Sequence, residues 1–144
     1  MVNGRQPDSK TAIDHIVHSI KSYQSQHNLT VIVISSLNRQ NYLAPIDFES
    51  FKESGGIEYT ADVVWGLQLW AIHNDIFNQN SKIKEKRDII RIAKAATPRE
   101  IELVCLKNRY GISSYTADFD YDPAYDTFIP CGIPLEVRHA NDNT

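Results

Sequence analysis

Lys107 and Arg109 are the residues whose types and spacing best suit chemistry in this chain. They close the apolar stretch Glu100–Lys107 (EIELVCLK) and precede Tyr110-Gly111. On an extended strand, residues two apart point to the same side. Both cations would then project together from a hairpin tip anchored by a buried strand. A lysine and an arginine held in this way can stabilise charge on a transferring phosphoryl group, as an arginine finger does. The same spacing also fits an ordinary solvated hairpin tip, and the pair alone does not decide between them.

Two further stretches bear on ligands. Val31–Ile34 is an unbroken β-branched run that ends in the polar Ser35, Ser36, Leu37, Asn38 and Arg39. Such a run reads as a strand buried on both faces, as in a parallel sheet covered by helices. Its carboxyl end is where open α/β sheets bind their ligands. The other reading is a core strand running into a plain loop. Ser54-Gly55-Gly56 places two glycines side by side, leaving backbone N–H groups free to approach a phosphate closely. A helix cap and a turn would use the same residues.

Other chemistry is argued against by absence. The sequence has no G-x-x-x-x-G-K-[ST] loop, no H-E-x-x-H and no zinc-spaced Cys/His set, and its five histidines are scattered. A self-contained hydrolase or metal enzyme is therefore not expected. The two cysteines, Cys105 and Cys131, form no C-x-x-C pair, which fits a reducing cytosol better than a disulfide scaffold. No apolar run reaches membrane-spanning length.

The elements that must position these residues follow from composition and periodicity. At 144 residues and 42% apolar, the chain is expected to be one domain or part of one. The net charge of −3 advertises no polyanion partner overall, yet nine of the fifteen basic residues fall between Lys82 and Arg109. That asymmetry suits a local phosphate or nucleic-acid surface, and equally a solvated helix face. Asp8 or Ser9 can cap a helix running to about His27, with Ile13, Ile16, Val17, Ile20 and Tyr23 on one face. Phe48–Glu53 suits a short helix, Ala61–Trp70 a second strand, and Ser81–Ala96 a basic helix. Glu100–Lys107 and Ser113–Tyr121 read as a β-hairpin. Asp122–Pro130 reads as an extended tail, and residues 131–144 as frayed.

Four blocks, ISSLNR (Ile34–Arg39), ESGGIEYTAD (Glu53–Asp62), LKNRYG (Leu106–Gly111) and FDYDPAYDTF (Phe119–Phe128), occur in this order. Together they resemble the C-terminal half of the RecA-like ATPase domain of DnaB-type replicative helicases, especially phage-like primase-helicases. The resemblance implies an α/β fold: a partial RecA-like, P-loop NTPase sheet with flanking helices and a C-terminal hairpin. The half that carries the phosphate loop and the Mg²⁺-holding aspartate would be missing, and residues 8–130 would form the core of a single partial domain. It implies that Lys107 and Arg109 act in trans on a neighbouring subunit's ATP. By the same likeness Ser36, Asn38 and Arg39 would sense the nucleotide, Ser36 standing where DnaB has a glutamine. Lys52, Glu53, Ser54 and Gly55 would face single-stranded DNA in a hexameric ring. The cofactors implied are ATP and Mg²⁺ in the intact protein, with none bound to this chain alone, which is expected to be inactive. The function implied is cytoplasmic DNA replication, by translocation on single-stranded DNA. A RecA-like ATPase of the repair or clock branch, and a non-catalytic DNA-binding or assembly module, are the alternatives that the sequence leaves open.

Overall fold

The apolar stripe of the first segment does wind into a helix, α1 (Ser9–His27). Asn28 ends it in the left-handed region at φ 50°, a conformation that asparagine tolerates better than most residues. The structure, a computed structural model, describes residues 9–38, 42–51, 55–77, 82–131 and 136–137. Ile13, Val17 and Ile20 are half-buried, while Ile16 and Tyr23 stay more than half exposed. α1 packs on a short second helix, α2 (Gly55–Thr60). Close approach explains one glycine there: a Cβ on Gly56 would run into the Asp14 carboxylate of α1.

The centre of the molecule is an antiparallel sheet. Its strands are β1 (Val63–Leu69), β2 (Arg99–Asn108), β3 (Tyr115–Asp122) and β4 (Thr127–Pro130), hydrogen-bonded in that order. A two-residue strand, β5 (Glu136–Val137), pairs with Tyr115 and Thr116 of β3. Between β1 and β2 the chain makes a π-helical turn (Ile72–Phe77) and then α3 (Ile83–Ala95). The β2–β3 hairpin and the second strand fall where periodicity puts them. So does the basic helix, with Ala96 as its C-cap.

Two small apolar clusters hold the layers. Ile46, Phe51 and Val64 form one, with Phe48, Ile57, Ala61 and Leu106 against it. Ile72, Ile76 and Ile90 form the other, with Leu43, Leu69 and Ile89 around it. Asp47 caps the 3-10 turn Phe48–Ser50 through its side chain and Ser50, which realises only part of the Phe48–Glu53 helix read from sequence. Lys52, Glu53 and Ser54 lie outside the described residues, as does Arg39.

Three expectations are corrected. The sheet is antiparallel, so the arrangement is mixed α/β without the parallel sheet inferred from the β-branched run. Thr30–Ser36 belongs to no strand, and Leu37 makes a single bridge to Phe51. Val31, Ile32, Val33 and Ile34 are 42%, 83%, 60% and 95% exposed. β-Branching favours extended backbone, but a strand is buried on both faces only where it is paired into a sheet and covered by a layer on each side, and among the described residues this stretch has only the Leu37 bridge. Asp122–Pro130 is no tail: the chain turns at Asp126 (φ 51°) and returns as β4 beside β3. There Phe128 packs on Tyr121, with ring centroids 4.6 Å apart, and edge-on against Phe119.

Candidate phosphate-contacting site

β2 ends at Asn108, so Lys107 is its penultimate residue and Arg109 opens the turn beyond it. The register between β1 and β2 slips between Val64 and Trp65, leaving Val64 opposite Lys107 and Trp65 opposite Cys105. A bulge of this kind re-aims side chains at a strand end. Here it turns Lys107 towards α2, where its ammonium donates to the Glu58 carbonyl at 2.6 Å. That carbonyl belongs to the last turn of a helix, where acceptors have no helical donor.

Arg109 folds back as well. Its backbone N–H donates to the Asp62 carbonyl at 2.8 Å, and its guanidinium Nη1 lies 2.8 Å from Asp62 Oδ1. Lys21 of α1 donates to the other carboxylate oxygen, Asp62 Oδ2, at 2.5 Å. The two cations therefore do not stand free at a hairpin tip. Arg109 joins Lys21 on Asp62, at the junction of α1, α2 and β1, while Lys107 is held on the α2 carbonyl nearby.

The electrostatics of this cluster are one-sided. Lys21, Arg109 and Lys107 surround one carboxylate and hold its pKa below the usual range, the Lys21 hydrogen bond being the largest cause. Burial, the next largest, works the other way without reversing the direction. Three cations against one anion leave the site electropositive, and the Arg109 side chain is 43% exposed. An oxyanion arriving from solvent would find charge already gathered and partly desolvated. That is what a phosphate requires. Among the described residues no group of three or more His, Cys, Asp or Glu side chains is arranged to hold a metal.

The other residues read from sequence fall elsewhere. Ser36 is exposed, its carbonyl accepting from Ser35 Oγ at 3.3 Å. Asn38 donates its N–H to the Ser50 carbonyl at 2.6 Å, which ties the Ser36–Asn38 stretch to the Phe48–Phe51 turn. Gly55 is the first residue of α2. The structure thus brings Lys107 and Arg109 together and puts Ser36 and Asn38 on a separate segment.

Sequence reasoning missed Asp62 and Lys21. Asp62 sits in the block that ends ESGGIEYTAD, but its partners lie 41 and 47 positions away in the chain. Only the packing of α1 against α2 brings Lys21 to it. A second unforeseen group is buried: Gln68 bridges the Ile46 N–H (2.8 Å) and the Glu102 carboxylate, which His73 Nδ1 also approaches at 3.3 Å. Cys131 is no activated nucleophile, since burial first, and then Asp120, pushes its thiol pKa up. No helix among the described residues is long and apolar enough to cross a membrane. Searches of protein-family models, curated proteins and solved structures find no match to this chain.

Proposed function

We propose that the chain is the C-terminal portion of a RecA-like domain in a DnaB-type helicase, contributing cations to the ATP bound by a neighbouring copy. The observation that carries the reading is the pairing of Lys21 and Arg109 with Asp62, with Lys107 close enough to add to the local charge and Arg109 still open to solvent. On this reading Asp62 parks the guanidinium until a γ-phosphate competes for it. Arg109 then moves a short way from carboxylate to phosphate, exchanging an ion pair for a charge-assisted hydrogen bond. Lys107, held by the α2 carbonyl, keeps the local potential positive.

ATP with Mg²⁺ would supply the transferable phosphoryl group and its charge neutralisation. This chain's residues would stabilise the charge that develops. Ser36, Asn38 and Arg39 would report the nucleotide state to the Lys52–Gly55 segment, which would touch the backbone of single-stranded DNA. The work would be cytoplasmic DNA replication, carried out in a ring.

The test uses a protein that carries this segment together with a phosphate loop. Arg109→Ala should leave folding and ATP binding nearly intact and lower hydrolysis by roughly 10³–10⁵. Mixing it with a phosphate-loop mutant should restore part of the rate, because an intact Arg109 can then face an intact loop. A flat baseline in rings shown to be mixed would refute action in trans, and near-normal hydrolysis by the single mutant would return Arg109 to a structural ion pair.

A further inference from the structure

α3 has two faces that do different things. Ile89, Ile90 and Ala93 turn towards the body of the protein, Ile90 only 4% exposed. On the other side Lys84, Arg87, Arg91 and Lys94 follow one another at spacings of three, four and three residues, and all four are exposed. Residues so spaced share one helix face. At 1.5 Å per residue the row runs about 15 Å.

The acidic residues of the same helix cancel only part of it, since Lys84, Lys86, Arg87, Arg91 and Lys94 stand against Glu85 and Asp88. The Glu85 carboxylate accepts from the Lys82 N–H at 3.0 Å. Asp88 lies 3.5 Å from Arg91, in a pair whose side chains are 54% and 73% exposed, so the pairing is weak. At the C-terminal end of the row stands Tyr42. Lys94 Nζ lies 4.5 Å from its ring centroid and hydrogen-bonds its hydroxyl, while the tyrosine stays 45% exposed.

We infer that this face of α3, with Tyr42 at its end, binds the phosphodiester backbone of a single-stranded nucleic acid. A row of cations on a rigid helix suits a polyanion, because each phosphate that a lysine or arginine neutralises releases its condensed counterions. The local charge must do this, since the whole chain is net negative at −3. The tyrosine selects the single strand: an accessible ring beside the cation row offers a stacking surface that an unstacked base can use and a paired one cannot. The inference does not rest on the proposed function: it uses neither the residues around Asp62 nor the Lys52–Gly55 segment, and the α3 substitutions below read its contribution alone.

The test is fluorescence anisotropy with the full chain and a labelled oligothymidylate over a salt series. If the four cations each neutralise one phosphate, the log–log salt slope should be about −2.8, an affinity loss of about fifty-fold from 50 to 200 mM salt. Lys84→Ala/Arg87→Ala/Arg91→Ala should reduce the slope to about −0.7, with circular dichroism checking that α3 persists. Tyr42→Ala should weaken oligothymidylate binding but not binding to inorganic polyphosphate. An unchanged slope in the triple variant would overturn the proposal, as would failure of the wild-type chain to bind at low salt. Equal affinity for duplex DNA would overturn the assignment to single strands, and tighter binding of poly-glutamate would assign the face to an acidic protein instead.

Discussion

Gln68→Leu removes the amide that joins three parts of the structure. Gln68 is 7% exposed and Glu102 2%. The amide oxygen accepts from the Ile46 N–H at 2.8 Å, and the amide nitrogen donates to Glu102 Oε2. Leucine has nearly the same volume, so the cavity contribution is small and the polar loss decides. The Ile46 N–H, on the edge of the cluster formed with Phe51 and Val64, is left without its acceptor, at about 1–3 kcal/mol. The Glu102 carboxylate loses a donor to a charged group, worth about 1.5–3 kcal/mol, although His73 Nδ1 remains 3.3 Å away. Leucine's extra apolar contact offsets part of this, and the net expectation is about 2–4 kcal/mol of lost stability. That is a large share of the roughly 5–15 kcal/mol that a domain possesses. Urea unfolding followed by tryptophan fluorescence measures it, Trp65 and Trp70 lying on either side of the substitution. Gln68→Glu should be worse than Gln68→Leu at pH 7, since it sets two carboxylates in contact. A loss below about 0.5 kcal/mol for Gln68→Leu would refute the reasoning, because so small a value needs both groups to find new partners without cost.

Two further substitutions probe the packing and the site. A Cβ on Gly66 would sit 2.5 Å from Ile46 Cγ2 and 3.0 Å from Ile46 Cδ1, so Gly66→Ala should overpack the cluster and cost about 1–3 kcal/mol; calorimetry reads the fall in Tm, and in an Ile46→Ala background, which lacks both atoms, the same change should cost much less. Asp62→Asn should cost about 1 kcal/mol at pH 7, since its pairs with Lys21 and Arg109 are partly exposed. The Asp62 pKa is lower in the folded chain, so its stabilisation is complete above the unfolded value of about 3.9 and is lost as pH falls through the folded one. Urea unfolding at pH 7 and near pH 2.5 should show the wild type and Asp62→Asn converging in acid, whereas a constant gap would mean that charge is not what Asp62 contributes.

The elements legible in the sequence were those that a local pattern determines. α1 and α3 carry apolar stripes at helical spacing, and the β2–β3 hairpin carries two strand-like runs around Asn108–Gly111. The π-helical turn was not legible, because in six residues the single i, i+4 pair Ile72 and Ile76 does not separate a π-turn from an ordinary helical one, and its form depends on burial of both against Ile90. β4 was hidden for a similar reason: the turn at Pro123–Asp126 shows no Asn-Gly or Asp-Gly signal, and only pairing with β3 makes Thr127–Pro130 a strand. Of the site, the cations were legible as types and spacing. Their direction was not, since a bulge between Val64 and Trp65 sets it.

Val31–Ile34 exposes the limit of pattern reading most clearly. Four β-branched residues in a row say that the backbone prefers to be extended and that both faces are apolar. They say nothing about whether neighbouring strands are at hand. Leu29–Asn38 holds no charge, proline or glycine, so none of the devices that keep an edge strand from pairing is present. The exposure of Ile32 and Ile34 at 83% and 95% is therefore a property of missing neighbours rather than of a polar sequence. The same separation governs the Asp62 cluster. Residue type can announce that Lys107 and Arg109 suit a phosphate, but only the fold supplies the carboxylate that holds Arg109, and only the α1–α2 contact supplies Lys21.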